Sequence, residues 1–312
     1  MEIVHHDRPV NKIKILGRER QMKIHLTALA FLLPSLFFLV LFIYWPLVQT
    51  FSLGFLSWNM VSPNKEWVGI DNYTILLQSP EFGRAAWNTL KYVLILLILN
   101  LVLPYFSAFA LSYGIKRFQE FYRSLLFLPS MLSMAVASMI FLWIYNPLGG
   151  PIGEVLKQLG THPIDVLRSS DWVIPAVATI AAWRTFGQHF ILILSGMLNV
   201  PKELIEAAQL DGMGKMGIFC QVVFPLCSPT TLYVGTLTVV MGLQSIFVPI
   251  QMLTNGGPDQ GSTNLIYYVY QTAFQFFHTG RAAACAIILT LVFAGLIALQ
   301  NAIAEKMVHY EN

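Results

Sequence analysis

Charge is what this 312-residue chain has least of: 11% of its residues are Asp, Glu, Lys or Arg, while 56% are hydrophobic. Soluble globular domains carry roughly 25% charged residues, and the mean hydropathy of +0.62 points the same way. Asp and Glu are missing from the interior of every long apolar run. That counts against an ion-coupled carrier, which buries such a group near the membrane midplane. The three cysteines, Cys220, Cys227 and Cys285, are too few for a disulfide framework, and no metal-ligand spacing surrounds them. They read as packing residues. His5, His6, His162 and His189 show no paired metal spacing either. No Gly-x-x-x-x-Gly-Lys-Ser/Thr occurs, so the chain has no phosphate cradle of its own. Gly212-Met213-Gly214-Lys215-Met216-Gly217 has the glycine pattern of dinucleotide sites. No strand precedes it, however, and no acidic residue follows about 20 residues on, as such a site requires. A serine nucleophile in an elbow and paired catalytic groups are also lacking, which excludes an intramembrane enzyme. There is no low-complexity tract and no clear internal repeat.

What is present is apolar length. A helix crossing a bilayer needs about 20 apolar residues, and six runs qualify: 26–50, 88–113, 124–145, 172–198, 230–253 and 281–304. The runs are continuous rather than alternating, so they predict helices and not barrel strands. The first is too long for a cleavable signal and has no small-residue cleavage site before a soluble domain. The expected organisation is a basic cytoplasmic segment at 1–25, one six-helix membrane domain at 26–304, and a cytoplasmic tail at 305–312. Lys and Arg distribution sets the orientation. Twelve fall in the head, the second break, the 199–229 loop and the tail, six fall on the other side, and Arg184 lies inside the fourth run. Both termini are therefore expected in the cytoplasm. The net charge of +3 then reflects topology rather than a nucleic-acid surface, and the basic head could touch anionic lipid.

Trp58, Trp67, Tyr73 and Trp87 in the break at 51–87 suit the outer interface. In the break at 146–171, Gly149-Gly150-Pro151 opens a turn and Ile152 to Leu159 fits a short surface helix. The 199–229 loop is the largest cytoplasmic feature. Pro201 suits a helix start, Leu204 to Leu210 makes two turns, and Asp211-Gly212 ends them because glycine accepts positive φ. Lys215 to Val223 predicts a second short helix closed by Pro225. Thr254-Asn255-Gly256-Gly257-Pro258 is a strong turn signal.

The spacing within this loop is specific: Glu206-Ala207-Ala208, then Gln209-Leu210-Asp211, Gly212, nine residues, and Val222-Val223-Phe224-Pro225. It resembles the EAA signature of the membrane subunits of ATP-binding-cassette (ABC) importers. Family members usually have Ile and Leu where Val222 and Phe224 stand, swaps that remain apolar. The resemblance extends over about residues 26–304. Val68-Gly69-Ile70-Asp71-Asn72-Tyr73 with Asn88-Thr89, and Leu253-Thr254-Asn255-Gly256-Gly257-Pro258, look like carbohydrate-type permeases, similar to the larger maltose-transporter membrane subunit.

The resemblance implies an all-α membrane protein with six transmembrane helices and the type I ABC importer permease (MetI-like) fold, in the bacterial cytoplasmic (inner) membrane. It implies that Glu206, Ala207, Ala208, Asp211, Gly212 and Pro225 form the element that docks in a cleft of the nucleotide-binding subunit. Two such ATPase subunits would bind ATP and Mg, leaving no cofactor on this chain. A second homologous permease subunit would complete a heterodimer, and an extracytoplasmic solute-binding protein would deliver a small carbohydrate. In the fourth run Arg184 is followed by Thr185, Gln188 and His189, with Arg184 and Gln188 on one helix face. Gln244 and Ser245 are polar in the fifth. By similarity, Arg184, Thr185, Gln188, Gln244 and Ser245 are the expected solute contacts, with Phe186 or Phe247 for a sugar to stack against. A guanidinium suits a carboxylate or phosphate, which points to an acidic sugar; the other reading is that Arg184 bonds helix carbonyls or a partner subunit. The competing class is a stand-alone secondary transporter or channel.

Overall fold

The computed structural model describes residues 29–115, 117–162 and 164–307. The basic head at 1–25 lies outside the described residues, as does the tail beyond Met307. The described chain is helical, apart from two strands of two residues each. It divides into two compact units at Ser52 and Leu53.

The first unit is essentially α1 (Leu29–Leu53), 25 residues with Leu, Phe, Val and Ile around its whole circumference. At 1.5 Å per residue it is about 37 Å long, enough to cross the hydrocarbon core.

The second unit opens with a short antiparallel ladder, β1 (Leu56–Ser57) on β2 (Glu66–Trp67), followed by α2 (Asp71–Gln78). Asn72 pins this region: its Nδ2 donates to the carbonyls of Gly54 at 3.0 Å and Leu56 at 2.9 Å. Next comes α3 (Pro80–Gly114), 35 residues long. Ser79 caps it by accepting from the Phe82 N–H at 3.0 Å, and Pro80 sits in the first turn, where a missing N–H costs nothing. The helix therefore starts eight residues before the apolar run at 88. A wider π-turn at Ile98–Val102 precedes Pro104, which has no N–H for the regular ladder.

The third apolar run departs from expectation. Residues 124–145 do not form one straight span: α4 (Gln119–Met131) and α5 (Met134–Ile144) meet at 98°. The cause is local. Pro129 cannot continue the ladder, Leu132 and Ser133 adopt extended ψ of 148° and 153°, and Ser133 caps α5 through the Val136 N–H at 3.2 Å.

The chain continues with α6 (Pro151–Gln158), α7 (Val173–Leu198), α8 (Lys202–Leu210), α9 (Lys215–Leu226), α10 (Ser228–Thr254), α11 (Leu265–Tyr270) and α12 (Thr279–Met307). α7 is the central span, with 61% of its apolar window buried against 28% for α3, α10 and α12. One end of it packs Phe190, Ile193 and Met197 against Tyr105 of α3, Phe219 of α9 and Val234 of α10. The other end packs Val173, Val177 and Ala181 against Tyr92, Leu243 and Tyr267. Within lipid such clusters are held by van der Waals fit, since the tails are as apolar as Leu.

A clasp closes that second end. Arg84 Nη1 donates to the Asp259 carbonyl at 2.7 Å, and Asn88 Nδ2 to the carbonyls of Gln260 and Thr263 at 3.1 Å. Tyr92 donates to the Ser262 carbonyl at 3.0 Å, and Thr89 accepts from the Leu265 N–H at 2.9 Å. Asn88-Thr89 and the segment after Gly256-Gly257-Pro258 are thus two halves of one joint.

Candidate coupling elbow and solute path

The elbow is built from α8 and α9. Pro201 precedes α8 with φ −57° and ψ 130°, and nine residues of helix follow. Ile205 and Ala208, three apart, are buried in the core cluster, so they seat the helix on the bundle. The remaining face is turned out, with Glu206, Ala207, Gln209 and Leu210 exposed. The two alanines therefore differ: Ala207 is available to a partner, while the small side chain of Ala208 is required by the chain's own packing. Glu206 has no ion-pair partner among the described residues.

The end of α8 is a Schellman cap. The Gly212 N–H donates to the Gln209 carbonyl and the Met213 N–H to the Ala208 carbonyl, both at 3.0 Å, with Gly212 at φ +80°. The reversal then leads into α9 at Lys215. Asp211 is exposed at the corner. Pro225 does not close the second helix, as the sequence suggested. α9 runs on to Leu226, because a π-turn at Phe219–Val223 absorbs the N–H that proline lacks. Phe224 sits against Tyr105 and Phe219 at 5.6 and 6.2 Å between ring centroids, tying α9 to α3.

Sequence reasoning passed over Leu204, Leu210 and Met216. All three are exposed on the elbow, Leu210 at 89%. Apolar side chains so displayed mark a contact surface, and the signal was legible: they fall outside the Ile205–Ala208 stripe.

Along α7, Arg184 is half-buried and Gln188, Ile191, Ser195 and Leu198 are exposed. Their spacing of four, three, four and three places them on one helical face. Arg184 Nε donates to the Leu132 carbonyl at 3.1 Å. The carbonyl freed where α4 breaks from α5 thus finds its donor in the one charged residue of α7. No other hydrogen bond of this guanidinium occurs among the described residues.

Thr185 points elsewhere. It is buried, donating to the Ala181 carbonyl at 2.8 Å and lying 3.3 Å from Asn100 Oδ1 of α3. His189 is also buried, its Nδ1 3.0 Å from the Thr185 carbonyl. On α10, Gln244 is exposed and Ser245 bonds back to the Met241 carbonyl at 2.8 Å. Arg184, Gln188 and Gln244 are therefore the expected contacts whose polar ends are open; Thr185 serves the bundle interior. Ser195 and Asn100 were missed. Ser195 continues the Arg184–Gln188 face by helical period and could have been found by it.

Of the cysteines, Cys227 and Cys285 are buried and Cys220 is exposed, all three as free thiols.

The chain is 30% identical over 280 residues to the sn-glycerol-3-phosphate transport system permease protein UgpA of Rhizobium meliloti, covering 89% of this chain and 94% of that one. It is 32% identical over 257 residues to the arabinooligosaccharides transport system permease protein AraP of Bacillus subtilis, covering 82% and 80%. In fold it is similar to a chain of a bacterial ABC transporter involved in the import of the acidic polysaccharide alginate. The TM-score there is 0.79 at 20% identity, over 93% of this chain and 99% of that one. A second structure of an alginate ABC transporter, in complex with an alginate pentasaccharide-bound periplasmic protein, gives a TM-score of 0.77 at 20% identity, over 93% and 98%. Residues 100–309, which hold the elbow and the α7 stripe, match one family along their length. The chain belongs to the family of binding-protein-dependent transport system inner membrane components, the permease subunits of ABC importers.

Proposed function

We propose that this permease lines the path of an ATP-driven importer for a sugar or oligosaccharide bearing a carboxylate or phosphate. A related second permease completes the path, two ATPase subunits carrying ATP and Mg dock on the α8–α9 elbow, and a solute-binding protein delivers from outside. The Lys and Arg asymmetry supports cytoplasmic termini and a cytoplasmic elbow. The names of its relatives fit a polar, often anionic cargo: glycerol phosphate, arabino-oligosaccharides and alginate.

The observation that carries this reading is the α7 face. A charged residue at the bilayer centre costs about 2.5–3.5 kcal/mol on insertion scales. Yet Arg184, Gln188 and Ser195 share one accessible stripe with Ile191 and Leu198, where the exposed residues of α1 are mostly Leu, Phe, Val and Ile. A stripe of that chemistry belongs against water and solute. Arg184 has one N–H on Leu132 and others left for an anion.

Arg184→Gln tests it, because glutamine keeps a donor for the Leu132 carbonyl and removes the charge. A hydrogen bond to a charged group contributes about 1.5–3 kcal/mol. The expected result is a roughly ten- to hundredfold weaker stimulation of ATPase by an acidic solute on its binding protein, with basal ATPase retained. Arg184→Leu, which also orphans the carbonyl, should lose assembly as well. An acidic solute that stimulates Arg184→Gln as well as the parent would refute the assignment.

A further inference from the structure

A cavity of mixed apolar and polar lining lies away from the elbow and the α7 stripe, where two spans end. It measures about 290 Å³, near the lower limit for small-molecule sites. Its wall brings together Glu81 from the first turn of α3, Gln271 following α11, and His278 and Arg281 around the start of α12. Gln271 is 8% exposed, and its Oε1 is buried with no donor among the described residues. Glu81 and Arg281 share the cavity without pairing, and neither has an ion-pair partner among the described residues.

The unmet groups fall into two sets of opposite demand. Glu81 and Gln271 Oε1 are acceptors and call for a cationic donor. Arg281 and His278 call for an anion. They stand at the start of α12, a 29-residue helix whose dipole favours negative charge, with the Thr279 N–H itself donated to the Trp58 carbonyl at 3.1 Å. A ligand that satisfies both sets is a zwitterion carrying a phosphate and a primary ammonium a few atoms apart.

We infer that this cavity binds the headgroup of phosphatidylethanolamine, phosphate toward Arg281 and His278, ammonium toward Glu81 and Gln271. Position favours a lipid over a soluble ligand. The cavity sits where α3 and α12 begin, and Phe276 at its wall and Phe274 and Phe277 beside it are each about half exposed, as rings at a membrane interface are. Phosphatidylcholine presents no N–H to Gln271, and phosphatidylglycerol offers Glu81 no cation. The inference is independent of the solute and of ATPase docking.

Native mass spectrometry of the assembled transporter, titrated with each of these three lipids, tests it. Phosphatidylethanolamine should bind at least tenfold more tightly than either of the others. Glu81→Gln, at an exposed position that folding tolerates, should remove the preference over phosphatidylglycerol and keep the preference over phosphatidylcholine. Arg281→Gln should weaken all three lipids about tenfold. Water-soluble glycerophosphoethanolamine should fail to displace the bound lipid at equal concentration. Equal binding of the three lipids, an unchanged preference over phosphatidylglycerol in Glu81→Gln, or displacement by the soluble headgroup at equal concentration would each overturn the assignment.

Discussion

Gly212 offers the sharpest test of the elbow, because its effect separates backbone angle from side-chain bulk. Its φ is +80°, and a Cβ built there meets nothing within 4 Å. Any cost of substitution is therefore conformational. An L-residue held at positive φ costs about 1–2 kcal/mol, less for Asn, more for a β-branched side chain. If that energy appears wholly in docking, Gly212→Ala should weaken ATPase-subunit binding roughly five- to thirtyfold, since 1.4 kcal/mol is about tenfold. Gly212→Asn should lie between Gly and Ala, and Gly212→Val should be weaker than Ala. Gly212→Pro should abolish docking, because proline fixes φ near −65° and removes the N–H that bonds Gln209. The assay is affinity of the purified permease pair for its ATPase subunits, with thermal unfolding of the pair as control. The bundle should melt unchanged throughout, since Gly212 lies outside both main core clusters. Wild-type affinity in Gly212→Val, or Asn no better than Val, would refute the reasoning.

Two further substitutions probe opposite ends of the molecule. Glu206→Arg reverses an exposed, unpaired charge; it should reduce ATPase docking at least tenfold while moving stability by no more than about 0.5 kcal/mol, as measured by binding and melting. Gly280→Ala would drive a methyl into the Leu56 carbonyl and to 2.6 Å from Asn72 Nδ2. Overpacking of this kind costs about 1–3 kcal/mol, so a melt within a degree of wild type would show the joint between α2, α12 and the hairpin to be looser than described.

Much of this was legible from residue order, for identifiable reasons. Continuous apolar length predicts spans without any help from packing, and five of the six runs coincide, over their described residues, with single long helices. The sixth breaks because Pro129 and the capping Ser133 override its hydropathy, and hydropathy averages do not see caps. The elbow could be read because Pro201 and Gly212 act through their own backbones, independently of neighbours. Which side of a span faces inward could not be read. Thr185 and Gln188 are equally polar, and only packing against Asn100 turns Thr185 into the bundle. The β1–β2 ladder has two residues per strand, too few for alternation to register. Pro225 misled because its helix accommodates it through a π-turn, a feature with no pattern of its own.

The central claim is that the α8–α9 elbow hooks a chemically silent path onto ATPases carried by other chains. With exposed Cys220 replaced by serine, a cysteine at Ala207 and a short bifunctional thiol reagent would test it in the assembled transporter. The account predicts a covalent adduct with the ATPase subunit, and protection of that cysteine from membrane-impermeant reagents added outside intact cells. A cysteine labelled from outside, or one that forms no adduct with any ATPase, would contradict it.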